Sequence, residues 1–551
     1  MFFAQCSRLD KLNAASSMNI HGQNIIGSEL SALGGKSYQG YNPRQGKPAP
    51  IQFHEADSGE IERAANLAQE AIPELQALDA DRVAAFLEAI REEIIALGDS
   101  LLEIADEESA LGLERLRGER DRTTNQIKLF ANIVREGSWV GARIDTPQPD
   151  RKPIPKPDLR TLLQPIGPVA VFGASNFPLA FSVAGGDTIS ALAARNPVIV
   201  KAHPAHPGTS ELVGVAVANA VKKSSLPSGT FSLLHGLSPD VSIALVSQPV
   251  VKALGFTGSQ RAGRALFDAA ARRPEPIPVF SEMGSVNPVF ILSSVLQNAP
   301  EKIAEGLFKS VTLGLGQMCT CPGLVFALES DRFQVFLEHL NKHFEGSAPA
   351  TMLNVTVAKG YRKAFEKASS LEGVTVRRSQ READGEKTEG QPGLLVTEAK
   401  IWLEQETLHE EIFGPATVIV RCNSEGEMLE CARALQGSLT ATVHGTSEEL
   451  AQQRSLRNIL TRKAGRIIFN GYPTGVEVGY AMQHGGPYPA TTDSRFTSVG
   501  AAAIFRFARP VCYQNFPDKS LPPELQNANP RGIWRTLDGE FTKRPITTQA
   551  G

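Results

Sequence analysis

The chain has few cysteines: six in 551 residues, at Cys6, Cys319, Cys321, Cys422, Cys431 and Cys512. So sparse a set excludes a disulfide framework and points to a reducing, cytoplasmic setting. Cys319 and Cys321 are spaced C-x-C, and no second pair at zinc spacing follows, so no metal site is expected. No apolar run approaches the roughly 20 residues of a membrane helix. The opening MFFAQCSRLDKLNAASSM lacks the sustained apolar core of a secretory signal. Charge of one sign is also missing: 56 Lys and Arg against 59 Asp and Glu give a net charge of −3, without the basic footprint of a nucleic-acid binder. What remains is ordinary globular composition, 42% hydrophobic and 21% charged, at a length suited to two large domains or three to four smaller ones.

The texture changes along the chain. Residues 1–17 read as a disordered extension, with Met18 a candidate true start. Residues 54–112 are rich in Ala, Leu, Glu and Arg, and Ala64, Leu67, Ala68 and Ala71 recur at helical spacing. Asp57 or Ser58, and later Asp79 or Asp81, are the cap candidates. The pattern resumes over 119–136, with Ile127, Phe130, Ala131, Ile133 and Val134 on one apolar face. A Pro-rich break at 145–157 reads as a loop or an edge hairpin. From residue 166, apolar runs such as PVAVFG, PVIVK and VVKALGFT alternate with helical segments. Repeated strand–helix units imply a parallel sheet with right-handed crossovers, whose ligands sit at the carboxyl ends of the strands. The turns at those ends are 173–178, 201–203, 257–259 and 282–287. A second alternating region begins near 300, and the last 40 residues read mostly as loop.

Several side chains in these turns are suited to chemistry, and each also has an ordinary structural explanation. Cys319, in GQMCTCPG, is a nucleophile if its thiolate is stabilised, or else a small buried residue; Cys321 is expected to be structural. Glu282, in FSEMGSVNP, is a water-activating base if burial raises its pKa, or else a cap or ion-pair partner. Asn176, in FGASNFP, is an oxyanion donor or a turn former. Gly258 and Gly263, in FTGSQRAG, allow close approach of a pyrophosphate to a helix N-terminus. Lys201 is a ribose or phosphate ligand, or a solvated surface lysine.

Together, FGASNFP, VKAHP, FTGS, SEMGSVNP, GQMC and EEIFGP occur in the order and approximate spacing of the aldehyde dehydrogenase superfamily, which the chain resembles from about residue 25 to 545. The resemblance implies an α/β fold with a Rossmann-type cofactor domain (18–145 and 165–284) and an α/β catalytic domain (285–492). It also implies a small oligomerisation hairpin (146–164, paired with 505–517) and a C-terminal tail (518–551). In this reading Cys319 attacks the aldehyde, and Asn176 with the Cys319 amide holds the oxyanion. Hydride leaves to a nicotinamide, and Glu282 activates the water that hydrolyses the thioester. Lys201 and Glu411 hold the cofactor riboses, Phe413 packs near the nicotinamide, and Thr257, Gly258 and Ser259 border the pyrophosphate. A homodimer or homotetramer is expected.

Two departures do not remove a catalytic atom: Ala174-Ser175-Asn176 stands for P-W-N, and Met283-Gly284-Ser285 for L-G-G. Three positions after Lys201, where many NAD-preferring members carry an acidic residue, stands Pro204, preceded by His203. A missing carboxylate there, with His203 and His206 nearby, leans the expectation to NADP, with NAD as the alternative. KAHPAHPGTSELV, HGGPYPATTDSRFTSVG and the tail resemble the α-ketoglutaric semialdehyde (2,5-dioxovalerate) dehydrogenases, and fatty aldehyde dehydrogenases look similar in these segments. A substrate with a carboxylate needs a cationic anchor, and Arg122 and Arg495 are the candidates. A fatty substrate needs an apolar tunnel, lined by Phe177 and the helix around Phe130. A cofactor-independent thiol esterase and a non-catalytic binding protein are the readings from other classes.

Overall fold

The Ala-rich segment folds as expected because each helix begins on a carboxylate cap or a turn. Asp57 accepts from the Glu60 amide while Glu60 reaches back to the Asp57 amide, a capping box that opens the helix Ser58–Ala77. Asp79 caps Ala80–Ala96 in the same sense. Gly98–Ser109 and Leu113–Glu136 follow. The computed structural model describes residues 20–546; the expectations for residues 1–17 and Met18 lie outside that range.

These helices cover a seven-stranded sheet. Its order is Val279–Glu282, Ala253–Thr257, Val169–Phe172, Val198–Lys201, Phe231–Leu234, then an edge hairpin of Asn24–Ile26 and Glu29–Ser31. The first five strands are parallel, and the hairpin is antiparallel. Alternate side chains face opposite layers. Val169, Val171, Val198 and Val200 join one core with Ile90, Phe130 and Leu192, whereas Ala170, Phe172 and Ile199 join another with Ala64, Ala68 and Leu266. Burial on both faces explains why these strands read as continuous apolar runs.

A second seven-stranded sheet runs Thr375–Arg378, Gly393–Glu398, Ala416–Cys422, Leu324–Leu328, Val289–Ile291, Ser438–His444 and Ala464–Phe469. It is parallel except at the Thr375–Arg378 edge. The strand Leu324–Leu328 splits its side chains in the same way, Leu324 and Phe326 to one core and Val325 and Ala327 to the other.

A third, five-stranded sheet joins Ala508–Gln514, Leu159–Pro165, Arg143–Asp145, Arg535–Leu537 and Glu540–Thr542. The last two strands differ from the loop expected of the tail. At three residues each they are too short for alternation to show in sequence, but Arg535–Leu537 pairs with Arg143–Asp145 and buries Leu537 with Ile144. The turn Ala501–Phe507 ties this sheet to the first. Phe507 is buried, and Arg506 forms an ion pair of 2.7 Å with Asp187 in the helix Gly186–Ala193. No helix of the described residues is long and apolar enough to cross a membrane.

Candidate active site

The first sheet changes direction between Val169–Phe172 and Ala253–Thr257, because later strands are added on opposite sides of the earliest one. Such a switch point opens a crevice at the carboxyl ends, and the singled-out turns surround it. Thr257 is in register with Glu282, and the Gly258 amide donates to the Glu282 carbonyl at 3.0 Å. The FTGS and SEMGS turns therefore form one edge. Glycine at 258 leaves room for the Phe256 ring, which a Cβ there would meet at 2.6 Å. Ser259 caps Gln260–Ala271 by accepting from the Ala262 amide, leaving a free helix N-terminus, which is suited to an anion. Gly263 lies against Met283, which a Cβ would meet at 2.7 Å. Lys201 ends its strand with its side chain buried.

The Cys319 loop is shaped by three successive residues at positive φ, Gly314, Leu315 and Gly316. Gly316 cannot be replaced cheaply, since a Cβ would stand 2.1 Å from the Gly414 carbonyl oxygen. That approach brings the EEIFGP segment onto the loop. Asn287 braces the loop from below: its amide donates to the carbonyls of Cys319 and Cys321 at 2.8 and 2.9 Å. Asn176 donates to the Gln317 carbonyl at 3.0 Å, which places it beside the cysteine turn and leaves its second amide N–H for another acceptor.

Cys319 does not face Glu282 alone. His484 stands between them, its Nε2 2.8 Å from Glu282 Oε1 and 3.6 Å from Cys319 Sγ. The Ser498 hydroxyl donates to the other Glu282 oxygen. A carboxylate only accepts, so Nε2 carries the hydrogen toward Glu282. Burial alone would raise Glu282, but His484, Ser498 and Cys319 outweigh it and hold the carboxyl below its ordinary range. Cys319 moves the other way: burial, then the charge of Glu282, pushes the thiol well above its usual value. The resting pair is a thiol beside a carboxylate. Thiol, imidazole and carboxylate are zinc donor types, and their ligand atoms lie within 4.8 Å of one another. The 2.8 Å His484–Glu282 contact is nonetheless a hydrogen bond, shorter than the roughly 3.4 Å between two donors on one tetrahedral ion.

A cavity of about 680 Å³ opens onto Cys319. One wall is a face of the helix Leu113–Glu136, on which Arg115, Glu119 and Arg122 recur at i, i+4 and i+7. Phe177, Phe181, Met318 and Arg466 complete much of the lining. Arg115 donates to the Asn176 carbonyl at 2.7 Å and lies over Phe177. Glu119 accepts from the Leu179 and Ala180 amides. Arg122 stacks on Phe181, and its Nε donates to the Val476 carbonyl at 3.4 Å. Its two terminal nitrogens are buried without a partner, an arrangement that favours a bound anion.

Of the two anchor candidates, the structure brings only Arg122 to the cysteine. Arg495 is 79% exposed and forks onto Asp493, two residues away. Phe130 is fully buried in the core between the helices and the first sheet, so it lines no tunnel; the apolar face of its helix points to the core and the polar face to the cavity. Glu411 is turned onto the SEMGS segment, with a carboxylate oxygen 2.2 Å from where a Cβ on Gly284 would stand. Burial raises Glu411 to about 7. Phe413 is half-buried in the adjoining loop. His203 and His206 stack on each other, and burial lowers both, so neither carries charge at neutral pH. They offer no cation to a 2′-phosphate.

Sequence reasoning missed His484 as a participant. It lies in QHGGPYP, where nothing local marks the histidine; only the fold brings it to the end of Val279–Glu282. Arg115, Glu119 and Arg466 were missed as well. The first two had a signal, since with Arg122 they form a polar stripe at helical spacing.

Residues 31–493 match the sequence model of the aldehyde dehydrogenase family. Alpha-ketoglutaric semialdehyde dehydrogenase 2 of Azospirillum brasilense is 48% identical over 531 residues, which is 95% of this chain and all of that protein. Alpha-ketoglutaric semialdehyde dehydrogenase of Acinetobacter baylyi is 42% identical, over 95% of this chain and 99% of that one. Among solved structures, betaine aldehyde dehydrogenase of Staphylococcus aureus in complex with NAD+ superposes with a TM-score of 0.77 at 18% identity, covering 91% of this chain and 96% of that one. An E. coli NADP dependent enzyme superposes at 0.75 with 22% identity, covering 90% and 98%.

Proposed function

The chain belongs to the aldehyde dehydrogenase family, and on that premise we propose that it oxidises α-ketoglutaric semialdehyde (2,5-dioxovalerate) to 2-oxoglutarate with NAD(P). The observation that carries the substrate is Arg122, whose unpartnered guanidinium nitrogens line the cavity that opens onto Cys319. The 48% and 42% identical semialdehyde dehydrogenases support the same reading. Three arginines against two glutamates in the lining suit a short keto acid better than a fatty chain.

The residues at the switch point fit a dinucleotide: Lys201 at a strand end, glycine at 258 and 263, and the open N-terminus of Gln260–Ala271. When bound, the nicotinamide accepts the hydride that the substrate carbon gives up. The chain's own groups supply the rest. Cys319 gives up its proton to water in the cavity that opens onto it, and the His484 Nε2–H, close to both side chains, faces the thiolate. The sulfur attacks the aldehyde carbon, and the free N–H of Asn176 with the Cys319 amide holds the oxyanion. Loss of hydride leaves a thioester on Cys319. Glu282 deprotonates a water that attacks the thioester carbonyl; the C–S bond breaks, the acid departs, and the thiolate recovers a proton from the Glu282 carboxyl. His484 and Ser498 keep Glu282 oriented throughout.

Edge strands Ala508–Gln514 and Ala464–Phe469, the latter with Ile467 and Phe469 exposed, support a homodimer or homotetramer. Free thiols at all five described cysteines support a reducing, cytoplasmic setting. The test of the reaction is reduced-nicotinamide absorbance with 2,5-dioxovalerate, succinic semialdehyde and a long-chain aldehyde. Fastest turnover is expected on 2,5-dioxovalerate. Faster turnover on the long-chain aldehyde would overturn the substrate, and ester cleavage without any dehydrogenation would overturn the reaction.

A further inference from the structure

We infer that Glu55 reads the adenosine ribose of the cofactor and turns the site toward NAD and away from NADP; this rests on the dehydrogenase reading above. Lys201 ends its strand in register with Leu234 of the neighbouring strand, and the Ala202 amide donates to the Leu234 carbonyl at 2.8 Å. One residue further, the His235 carbonyl accepts from the amide of Ala56 at 2.9 Å. That pairing lays Glu55 across the carboxyl ends of the two strands. Its carboxylate is fixed there by the hydroxyl of Ser238, at 2.8 Å, the residue that precedes the helix Pro239–Val246. The side chain is mostly buried.

The surrounding charges agree. Burial lowers Lys201 to about 8, and Glu55 is the charge that opposes this. The imidazoles near it are neutral: burial pushes His203 and His206 down, and His235 to about 3. Glu211 lies 3.7 Å from His235. The field of Glu108, Glu55 and Glu211 adds to burial in keeping the neighbouring Tyr38 protonated. A ribose 2′-hydroxyl can donate to a carboxylate at this place, whereas a 2′-phosphate brings about −1.5 to −2 charges against one. The absence of an acidic residue at Pro204 therefore does not open the site to NADP, because the carboxylate arrives from a segment far earlier in the chain.

The test is calorimetric titration of the full-length protein with NAD, NADP, 5′-AMP and 2′,5′-ADP, with no aldehyde present. The unmodified chain is expected to bind NAD and 5′-AMP at least about tenfold more tightly than their 2′-phosphorylated counterparts. Glu55→Gln should cut that ratio by about tenfold. Ser238→Ala, which keeps the carboxylate but frees it, should cut the ratio by less, and it serves as the second variant if Glu55→Gln does not fold. Equal or tighter binding of the 2′-phosphorylated ligands by the unmodified chain overturns the assignment. So does an unchanged ratio in a folded Glu55→Gln, and in both cases the dehydrogenase reading stands. If neither dinucleotide binds, that reading falls and takes this one with it.

Discussion

The two walls of the active site are built by different means. The reaction wall, with Glu282, Thr257, Gly258 and Lys201, stands on the ends of parallel strands whose side chains are buried on both faces. The substrate wall, with Arg115, Glu119, Arg122 and Arg466, comes from one helix face and from distant loop and edge segments. A group at a strand end inherits the rigidity of the sheet. A group on a helix face at the cavity is fixed by its few hydrogen bonds and the rings it covers, as Arg122 is by Val476 and Phe181. The reaction wall thus sets the chemistry for any aldehyde, and the substrate wall sets which aldehyde is favoured.

Substitutions in the reaction wall, or of the cysteine it faces, should lower turnover on every aldehyde alike. Cys319→Ser is the largest: dehydrogenase turnover should fall by on the order of 10³-fold or more while dinucleotide binding, read by calorimetry, persists. Normal turnover would break the mechanism. Glu282→Gln should lower the steady rate by on the order of 10²-fold. It also removes a charge that keeps the thiol protonated, so a rapid-mixing trace should show one burst of reduced nicotinamide per active site before the slow phase. A slow rate without a burst would mean that acylation, too, depends on the carboxylate.

Arg506→Met reaches the same wall from behind. Asp187, its partner, packs against Gly255 of the strand leading to Thr257. Leaving that buried carboxylate alone should cost about 3–5 kcal/mol, seen as a lower melting temperature, with turnover on charged and uncharged aldehydes reduced by the same factor. The smallest effect is on pH dependence. The raised thiol pKa means that thiolate is scarce at neutral pH and increases as pH climbs, so iodoacetamide modification of Cys319 should still be accelerating at about pH 9. Glu282→Gln should move that profile to lower pH; a profile that stays in place would remove the carboxylate from the thiol's surroundings.

The contrast between the walls also governs what could be read from sequence. Glu282, Thr257, Gly258 and Lys201 each follow an apolar run and precede a turn, so strand and chemistry are adjacent in the chain. Asn176 lies in a turn of the same kind, after Val169–Phe172, whereas Cys319 lies in a turn that follows a helix. His484 has no such context, and only its 2.8 Å contact with Glu282 identifies it. The Arg495 expectation failed for a local reason, the capture of its guanidinium by Asp493. The helix around Phe130 does border the cavity beside Phe177, but through its polar residues, because the apolar face that carries Phe130 packs into the core. The polar face of that helix was the informative one.

The most direct measurement of the division between walls is the ratio of kcat/KM for 2,5-dioxovalerate to that for pentanal, in the unmodified protein and in Arg122→Leu. A charge-assisted hydrogen bond of about 1.5–3 kcal/mol should make the ratio fall by roughly 10- to 150-fold, with pentanal itself changed by less than about threefold. An unchanged ratio, or an equal loss on both aldehydes, would contradict the account and place the carboxylate anchor elsewhere.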